Sequence, residues 1–154
     1  MEDNKIMKVS AIENGTVIDH IPPRALFQVI DLLGLEYVAT PVTFATNLKS
    51  VRMGSKAIVK ITDVYCSDEQ ISYLALVAPT AKISIIKNYE VVEKRQVVAP
   101  KEVHGFVRCA NPMCITNHEK IRTHFSVSTI NGELSLCCQY CEKSTRQEQF
   151  EIIR

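Results

Sequence analysis

The sequence lacks several features by which common functional classes are recognised. It has no apolar run near the roughly twenty residues that cross a bilayer, and its opening MEDNKIMKV contains no apolar signal segment. Glycine-rich phosphate loops and the G-x-S-x-G motif of hydrolases are also missing. We therefore expect a soluble, cytoplasmic protein that uses none of these familiar motifs.

A large charge of one sign is missing too. The 154 residues include 18 basic and 17 acidic side chains, which gives a formal net charge of +1, and there is no tryptophan. Such a chain has no overall field to attract nucleic acid or an anionic membrane, so neither is expected as a partner. A zinc-ribbon module that binds nucleic acid remains the alternative, although few aromatic residues near the cysteines could stack on bases.

Two alternating periodicities organise the first ninety-odd residues. Strands are predicted at Ile6–Ile12, Pro41–Asn47, Lys56–Asp63 and Lys82–Ile86, with a further extended segment from Tyr89. One helix is predicted within Pro23–Gly34, with an apolar stripe of Leu26, Phe27, Ile30 and Leu33, and another begins at the capping-box pattern of Ser67 and Gln70. This order predicts an α+β, ferredoxin-like (split βαβ) domain with two helices on one face of an antiparallel sheet.

The composition changes around Val97–Gly105, where Pro100 interrupts the pattern and cysteine, serine, threonine and asparagine become frequent. We place a domain boundary there, between residues 1–99 and residues 100–154. The second unit is predicted to be all-β, with strands near His124–Ile130 and Glu133–Cys138, and a weaker one at Gln149–Ile153. About fifty residues bury little apolar area, so such a unit usually needs a metal, disulfides or a partner.

Five of the six cysteines lie in this second unit. Cys109 and Cys114 are separated by four residues, and Cys138 and Cys141 by two, which suits a tetrahedral zinc site. Reduced thiols in the cytoplasm favour metal binding, with disulfides or an iron–sulfur centre as alternatives. Four sulfurs would fill the coordination sphere, so we predict one structural Zn²⁺ per chain that does no chemistry.

The neighbouring Cys137 is not predicted to be a ligand. Cys138 gives the two-residue loop to Cys141 and shares a strand face with Leu134 and Leu136, whereas Cys137 points the other way. Three histidines also lie in this unit and any one could replace a thiol, but none has a preferred spacing from a cysteine pair. We expect these three to be ordinary polar residues: His104, His118 and His124.

Catalytic residues are not evident. Asp19 and His20 are adjacent, and because neighbours on a strand point apart we expect no acid–base dyad. A free-standing enzyme would need a nucleophile or an open metal site. Lys60 and Lys94 lie on extended apolar segments, where each could face solvent or, together with Asp19, form a positive pocket for phosphates and a ribose hydroxyl.

Four motifs in order resemble the regulatory chain family of aspartate carbamoyltransferase: GTVIDHI, NYEVVEK, the C-x4-C pair and LCCQYCEK. The resemblance implies a non-catalytic subunit with an N-terminal allosteric domain and a C-terminal zinc domain that docks on catalytic chains. Those chains make carbamoyl aspartate for pyrimidine synthesis. The implied assembly joins two catalytic trimers through three regulatory-chain homodimers, with CTP and UTP as inhibitors and ATP as activator.

The resemblance also implies site residues. The nucleotide site falls on Val9, Ile12, Asp19, His20, Lys60, Ile86, Tyr89, Val91 and Lys94. Lys5 and Lys56 match basic positions near a possible second, Mg²⁺-bridged nucleotide, and Asn111 and Glu142 match positions that contact the catalytic chain. The sequence departs from the family pattern at Ser84 and Met113, where asparagine is common. Ser84 has a shorter reach, so the ranking of effectors is expected to differ, and Met113 lies in the loop that would face the catalytic chain.

Overall fold

The computed structural model describes residues 11–153. Seven elements form the first unit: β1 (Gly15–Ile21), α1 (Leu26–Leu32), β2 (Val42–Ser50), β3 (Gly54–Thr62), α2 (Asp68–Val77), β4 (Lys82–Lys87) and β5 (Glu90–Gln96). The strands pair antiparallel in the order β2-β3-β1-β4-β5, which is the split βαβ order with β5 added at one edge. The predicted α+β class is confirmed.

The central strand of this sheet is β1, which pairs with both β3 and β4. The sequence pattern placed the first strand earlier, at Ile6–Ile12, most of which lies outside the described residues. The sequence also suggests a turn at Asn14-Gly15 after that strand, and this is wrong, because Gly15 starts β1. A Cβ atom at Gly15 would lie 2.0 Å from the carbonyl oxygen of Ile61. Only glycine permits this close approach of two strands.

One face of the sheet is covered by the two helices. Ile18, Val59 and Ile83 are fully buried there, together with Val29 of α1 and Leu74 of α2. Among residues 11–153, no helix covers the opposite face of the sheet. Because apolar and polar side chains alternate along the central strands, burial of one face fixes the strand register.

The helix predictions were partly right. Ser67 and Gln70 form the predicted capping box at the start of α2: the Gln70 N–H donates to Ser67 Oγ (3.1 Å) and the Ser67 N–H to Gln70 Oε1 (2.9 Å). In α1, Phe27 is 67% exposed, so its place in the predicted apolar stripe was wrong. A 3₁₀ turn at Pro23–Ala25 precedes α1 and shifts the buried stripe to Leu26 and Val29.

The second unit is a four-stranded antiparallel sheet. It contains β6 (Glu102–His104), β7 (His124–Ile130), β8 (Glu133–Cys138) and β9 (Ser144–Arg146), paired in that order. The predicted final strand at Gln149–Ile153 reduces to a single bridge between Val107 and Ile152, and β9 takes the edge position. Asn131 and Gly132, an Asn-Gly pair typical of hairpins, form the turn between β7 and β8, both with positive φ.

Contacts join the two sheets. The rings of Tyr73 and Phe106 stack with centroids 4.2 Å apart. Gln28 Nε2 donates to the Phe150 carbonyl and Gln147 Nε2 to the Leu76 carbonyl, each at 3.1 Å. The buried apolar core runs through both units. Among residues 11–153, no helix is both long and apolar enough to cross a membrane.

Gly15→Ala should strongly destabilise the chain, because the new methyl group would collide with the Ile61 carbonyl at the centre of the sheet. We expect the free energy of unfolding to fall by roughly 2–3 kcal/mol in denaturant titrations. Gly132→Ala is the control, since Gly132 also has a positive φ but nothing within 4 Å, and it should cost only about 1 kcal/mol. Equal losses in the two variants would contradict the role given to Gly15.

Candidate functional site

The four predicted metal ligands converge in the second unit. Cys109 and Cys114 lie in the loop between β6 and β7, Cys138 ends β8, and Cys141 lies in the turn that follows. The four ligand atoms all lie within 4.8 Å of one another. The Sγ atoms of Cys109 and Cys141 are 3.7 Å apart, as are those of Cys114 and Cys138.

This geometry fits a tetrahedral metal. With Zn–S bonds of about 2.3 Å, the sulfurs of a zinc site lie about 3.8 Å apart, close to the two separations given above. Further donors surround the sulfurs: the Tyr140 N–H points at Cys138 Sγ (3.4 Å), and Thr116 Oγ1 lies 3.2 Å from Cys114 Sγ. Four protein sulfurs leave no position for water, which is typical of a structural site.

The pKa values of Cys109 and Cys141 are shifted in opposite directions. Burial raises the pKa of Cys109 to about 12. At Cys141 burial also acts to raise the pKa, but hydrogen bonds from the Asn111 side chain and the Lys143 backbone outweigh it and lower the pKa to about 7. A bound cation must therefore displace protons from the thiols, and Cys141 loses its proton more readily than Cys109 does.

The remaining cysteines lie apart from this centre. Cys137 Sγ is 3.8 Å from the Glu142 carbonyl oxygen and does not belong to the four-cysteine group. Cys66 lies in the first unit, where burial raises the pKa of its thiol. Both fit the interpretation of small, unreactive side chains.

No histidine joins the four cysteines in the described part of the chain. His118 Nε2 contacts the Pro112 carbonyl oxygen at 2.9 Å. His104 and His124 belong to a separate group with Glu102. All the ligand atoms of the cysteine centre are therefore sulfurs.

The metal-binding loops also form an exposed surface. Met113, at the tip of the first loop, is 79% exposed, and its N–H donates to Asn111 Oδ1 at 3.1 Å. The Asn117 side chain donates to the carbonyls of Cys109 and Asn111, which holds the loop in shape. Glu142, in the second loop, is exposed and has a φ of 64°. Correct folding of these loops thus fixes the positions of the predicted contact residues.

A second candidate site lies on the open face of the first sheet. Val17 pairs with Lys60 on β3 and with Ser84 on β4, and Ser84 pairs with Lys94 on β5. Directly paired residues share a face, so these side chains form one row across the sheet. Beside this row is a cavity of about 360 Å³ lined by Asp19, His20, Lys82, Ile83, Ser84, Lys94, Arg95 and Gln96.

A β-bulge shapes this cavity. The β1–β3 register shifts between Ile18 and Ile21, and His20 has a φ of 59°. The expectation that Asp19 and His20 point apart was wrong, because the bulge turns both toward the cavity, with His20 Nδ1 3.7 Å from Asp19 Oδ1. His20 Nδ1 is buried and has no hydrogen-bond partner among the described residues. An orphaned polar atom beside a cavity indicates room for a ligand group.

Cations dominate the surroundings of this cavity. Lys56 Nζ lies 2.9 Å from Asp19 Oδ1, and burial lowers the pKa of Lys60 while the charge of Asp19 opposes that shift. Arg95 pairs with Asp68 at 2.9 Å, whereas the described residues show no ion pair for Lys82 or Lys94. Lys82 was missed by sequence reasoning, although strand alternation places it on the same face as Ser84.

The other predicted nucleotide residues lie at the opposite end of β1. Ile86 pairs with Gly15 and with Val91, and the Tyr89 N–H donates to the Glu13 carbonyl at 2.9 Å, close to Ile12. Val9 and Lys5 lie outside the described residues. The distance along β1 from Gly15 to Asp19 is about 14 Å at a rise of about 3.4 Å per residue. The predicted residues thus follow β1 from an apolar end near Tyr89 to a cationic end near Lys94, and we call this strip the groove.

Comparison with known proteins supports these observations. A sequence model described as "Aspartate carbamoyltransferase regulatory chain, allosteric domain" matches residues 7–98. A second, described as "Aspartate carbamoyltransferase regulatory chain, metal binding domain", matches residues 101–151. Together they cover most of the chain and match the two sheets in order.

Curated relatives are similar along almost their whole length. A protein of Bacteroides fragilis is 46% identical over 152 residues, which is 99% of both chains. One of Phocaeicola vulgatus is 47% identical over 155 residues, again 99% of both, and one of Pyrococcus horikoshii is 45% identical over 145 residues, 93% of this chain and 95% of its own. Each is named aspartate carbamoyltransferase regulatory chain.

Replacing one predicted metal ligand and one neighbouring cysteine that is not a ligand tests the metal centre. Cys138→Ser should reduce bound metal to well below one ion per chain and lower the unfolding temperature. A structural zinc site needs four protein ligands, and the three remaining sulfurs would bind zinc weakly. Cys137→Ser, one residue away on the other strand face, should retain the metal. Elemental analysis after dialysis gives the metal content of both variants, and equal retention would contradict the assignment of Cys138.

Proposed function

This chain belongs to the aspartate carbamoyltransferase regulatory chain family, and on that premise we propose that nucleotides control its partner enzyme through the groove along β1. It is a non-catalytic regulatory subunit of pyrimidine biosynthesis, with an allosteric domain and a metal-binding domain. The effectors we propose are CTP and UTP as inhibitors and ATP as activator. They compete for one site in residues 1–99, in a cytoplasmic assembly.

The charge distribution in the groove supports this choice of ligand. Lys94 and Lys82 line the cavity and have no ion pair among the described residues, and His20 lines the same cavity, which suits a triphosphate. Asp19 provides an acceptor for a ribose hydroxyl, with Lys60 beside it. At the apolar end, backbone groups near Ile12 and Tyr89 would read the edge of the base.

We also propose a second nucleotide, bridged by Mg²⁺, beside the first. Lys56, one of its two predicted residues, already pairs with Asp19 through both carboxylate oxygens, at 2.9 and 3.2 Å. The ammonium group of Lys56 therefore borders the first site as well. In this proposal Lys56 and Lys5, which lies outside the described residues, would bind the metal-bridged phosphates of the second nucleotide.

The second unit, residues 100–154, is proposed to hold Zn²⁺ and to dock on a catalytic chain through its metal-binding loops. Asn111 is held by Asn117, and Glu142 lies beside Cys141, so both contact positions depend on the geometry of the four-cysteine centre. We propose two catalytic trimers joined by three regulatory dimers. The zinc-ribbon alternative is not favoured, because the family comparison and the near-neutral charge give no support for nucleic-acid binding.

Regulation requires that nucleotides bind one quaternary state better than the other. Coupling energies of this kind are typically about 1–3 kcal/mol, so small changes in packing are sufficient. The stacked rings of Tyr73 and Phe106 and the two glutamine side chains that bridge the sheets are the contacts through which a change at β1 would reach the second unit.

Lys94→Ala tests nucleotide binding. Loss of one charge-assisted hydrogen bond to phosphate, typically about 1.5–3 kcal/mol, should weaken CTP binding at least about tenfold in calorimetric titrations of the full chain. Lys101→Ala removes an exposed lysine outside the cavity and should leave CTP affinity unchanged. If both variants bind CTP like the unmodified chain, the phosphates of CTP bind outside this cavity.

Metal removal tests the docking role. The chain treated with a chelator should fail to co-elute with the catalytic chain in gel filtration, because the loops lose their shape, while it still binds CTP through the first sheet. Adding Zn²⁺ back should restore co-elution and serves as the control. A metal-free chain that still assembles would contradict the proposal for the loops without affecting the nucleotide site.

A further inference from the structure

A second cluster of metal-ligating side chains lies outside the four-cysteine centre. Glu102 and His104 are two residues apart on β6, and His124 on β7 is the direct partner of His104. Residues two apart on a strand lie on the same face of the sheet, and so do residues directly paired on neighbouring strands. The three side chains therefore project from the same side of the second sheet.

The ligand atoms of this cluster converge. His124 Nε2 lies 2.5 Å from Glu102 Oε1, and His104 Nε2 lies 3.8 Å from the same oxygen. The two imidazole rings stack with centroids 4.1 Å apart and an interplanar angle of 24°. All three ligand atoms lie within 4.8 Å of one another.

We propose that Glu102, His104 and His124 form an accessory site for a divalent transition-metal ion such as Zn²⁺. Bonds of about 2.0–2.1 Å to nitrogen and oxygen place tetrahedral ligands about 3.3 Å apart, which lies between the two separations observed here. The ion would replace the hydrogen bond between His124 and Glu102. Three protein ligands leave a coordination position open for water, unlike the closed cysteine centre.

The surroundings favour a cation at this position. Among the ion pairs of the described residues, Glu102 has only the two histidines as partners. Arg122 contacts His104 through its backbone carbonyl (Nη2 to O, 3.1 Å), so its guanidinium group is not a partner of the carboxylate. Strands hold side chains more precisely than loops do, and the β6–β7 pairing fixes the spacing of the two imidazoles before any ion arrives.

An ion bound at this cluster would affect the region where the two sheets meet. β6 is the first strand after the connection between the two sheets, and Phe106, which stacks on Tyr73, follows His104 by two residues. An ion bridging β6 and β7 would fix the start of the second sheet beside its contact with the first. Because it binds the folded chain, it would stabilise that chain by an amount that grows with the logarithm of the ion concentration once this exceeds the dissociation constant.

Equilibrium dialysis of the full chain against Zn²⁺, followed by elemental analysis, tests this site. The unmodified chain should bind a second, weaker zinc beyond the one in the cysteine centre. His104→Gln and Glu102→Gln should keep the tight zinc and bind the second at least about tenfold more weakly, because each loses one of only three protein ligands. His118→Gln, which removes a histidine outside the cluster, should keep both.

Two outcomes would overturn the proposal. One is an unmodified chain that holds a single zinc in a large excess of Zn²⁺. The other is an equal loss of the second zinc in His118→Gln and His104→Gln, which would indicate nonspecific binding by histidine. His104 is 50% exposed, so its replacement should fold normally, and retention of the tight zinc verifies the fold of each variant.

Discussion

The pairing of β1 on both of its edges is the constraint on which the first unit depends. β1 lies between β3 and β4, and the two helices must cover the face that presents Ile18. No helix of the described residues covers the opposite face, and the row from Lys60 to Lys94 crosses it at Val17. The groove therefore exists because the helices cover a five-stranded sheet on one side only. Its charge is set by the residues that strand alternation places on the uncovered face.

The local features of this chain were readable from sequence, and those that depend on contacts between distant strands were not. Ser67 and Gln70 stabilise each other within one helical turn, and the cysteine spacings are set by short loops, so their patterns carry the information directly. Gly15 is explained only by the carbonyl of Ile61, which is 46 residues away in the sequence. The left-handed conformation of His20 likewise appears only once β1 is paired with β3.

The cysteine centre addresses a problem of size in the second unit. Its four strands bury a few large side chains, among them Val103, Phe125 and Leu136, and Cys138 is buried with them. An ion held by four sulfurs would link the loop before β7 to the turn after β8, which the strand pairing alone does not join. The same link would shape the exposed loops that carry Asn111 and Glu142, so stability of this unit and the form of its outer surface depend on one set of bonds.

Communication between the two units requires that neither sheet move independently of the other. Their buried side chains form one continuous cluster, and the Tyr73–Phe106 stack lies between α2 and the loop that leads to Cys109. Packed interfaces of this kind shift between discrete arrangements because close-packed cores deform little. A nucleotide that changes the position of β1 under α1 and α2 would therefore have to repack this stack, and a displaced Phe106 would alter the approach of the chain to the first pair of metal ligands.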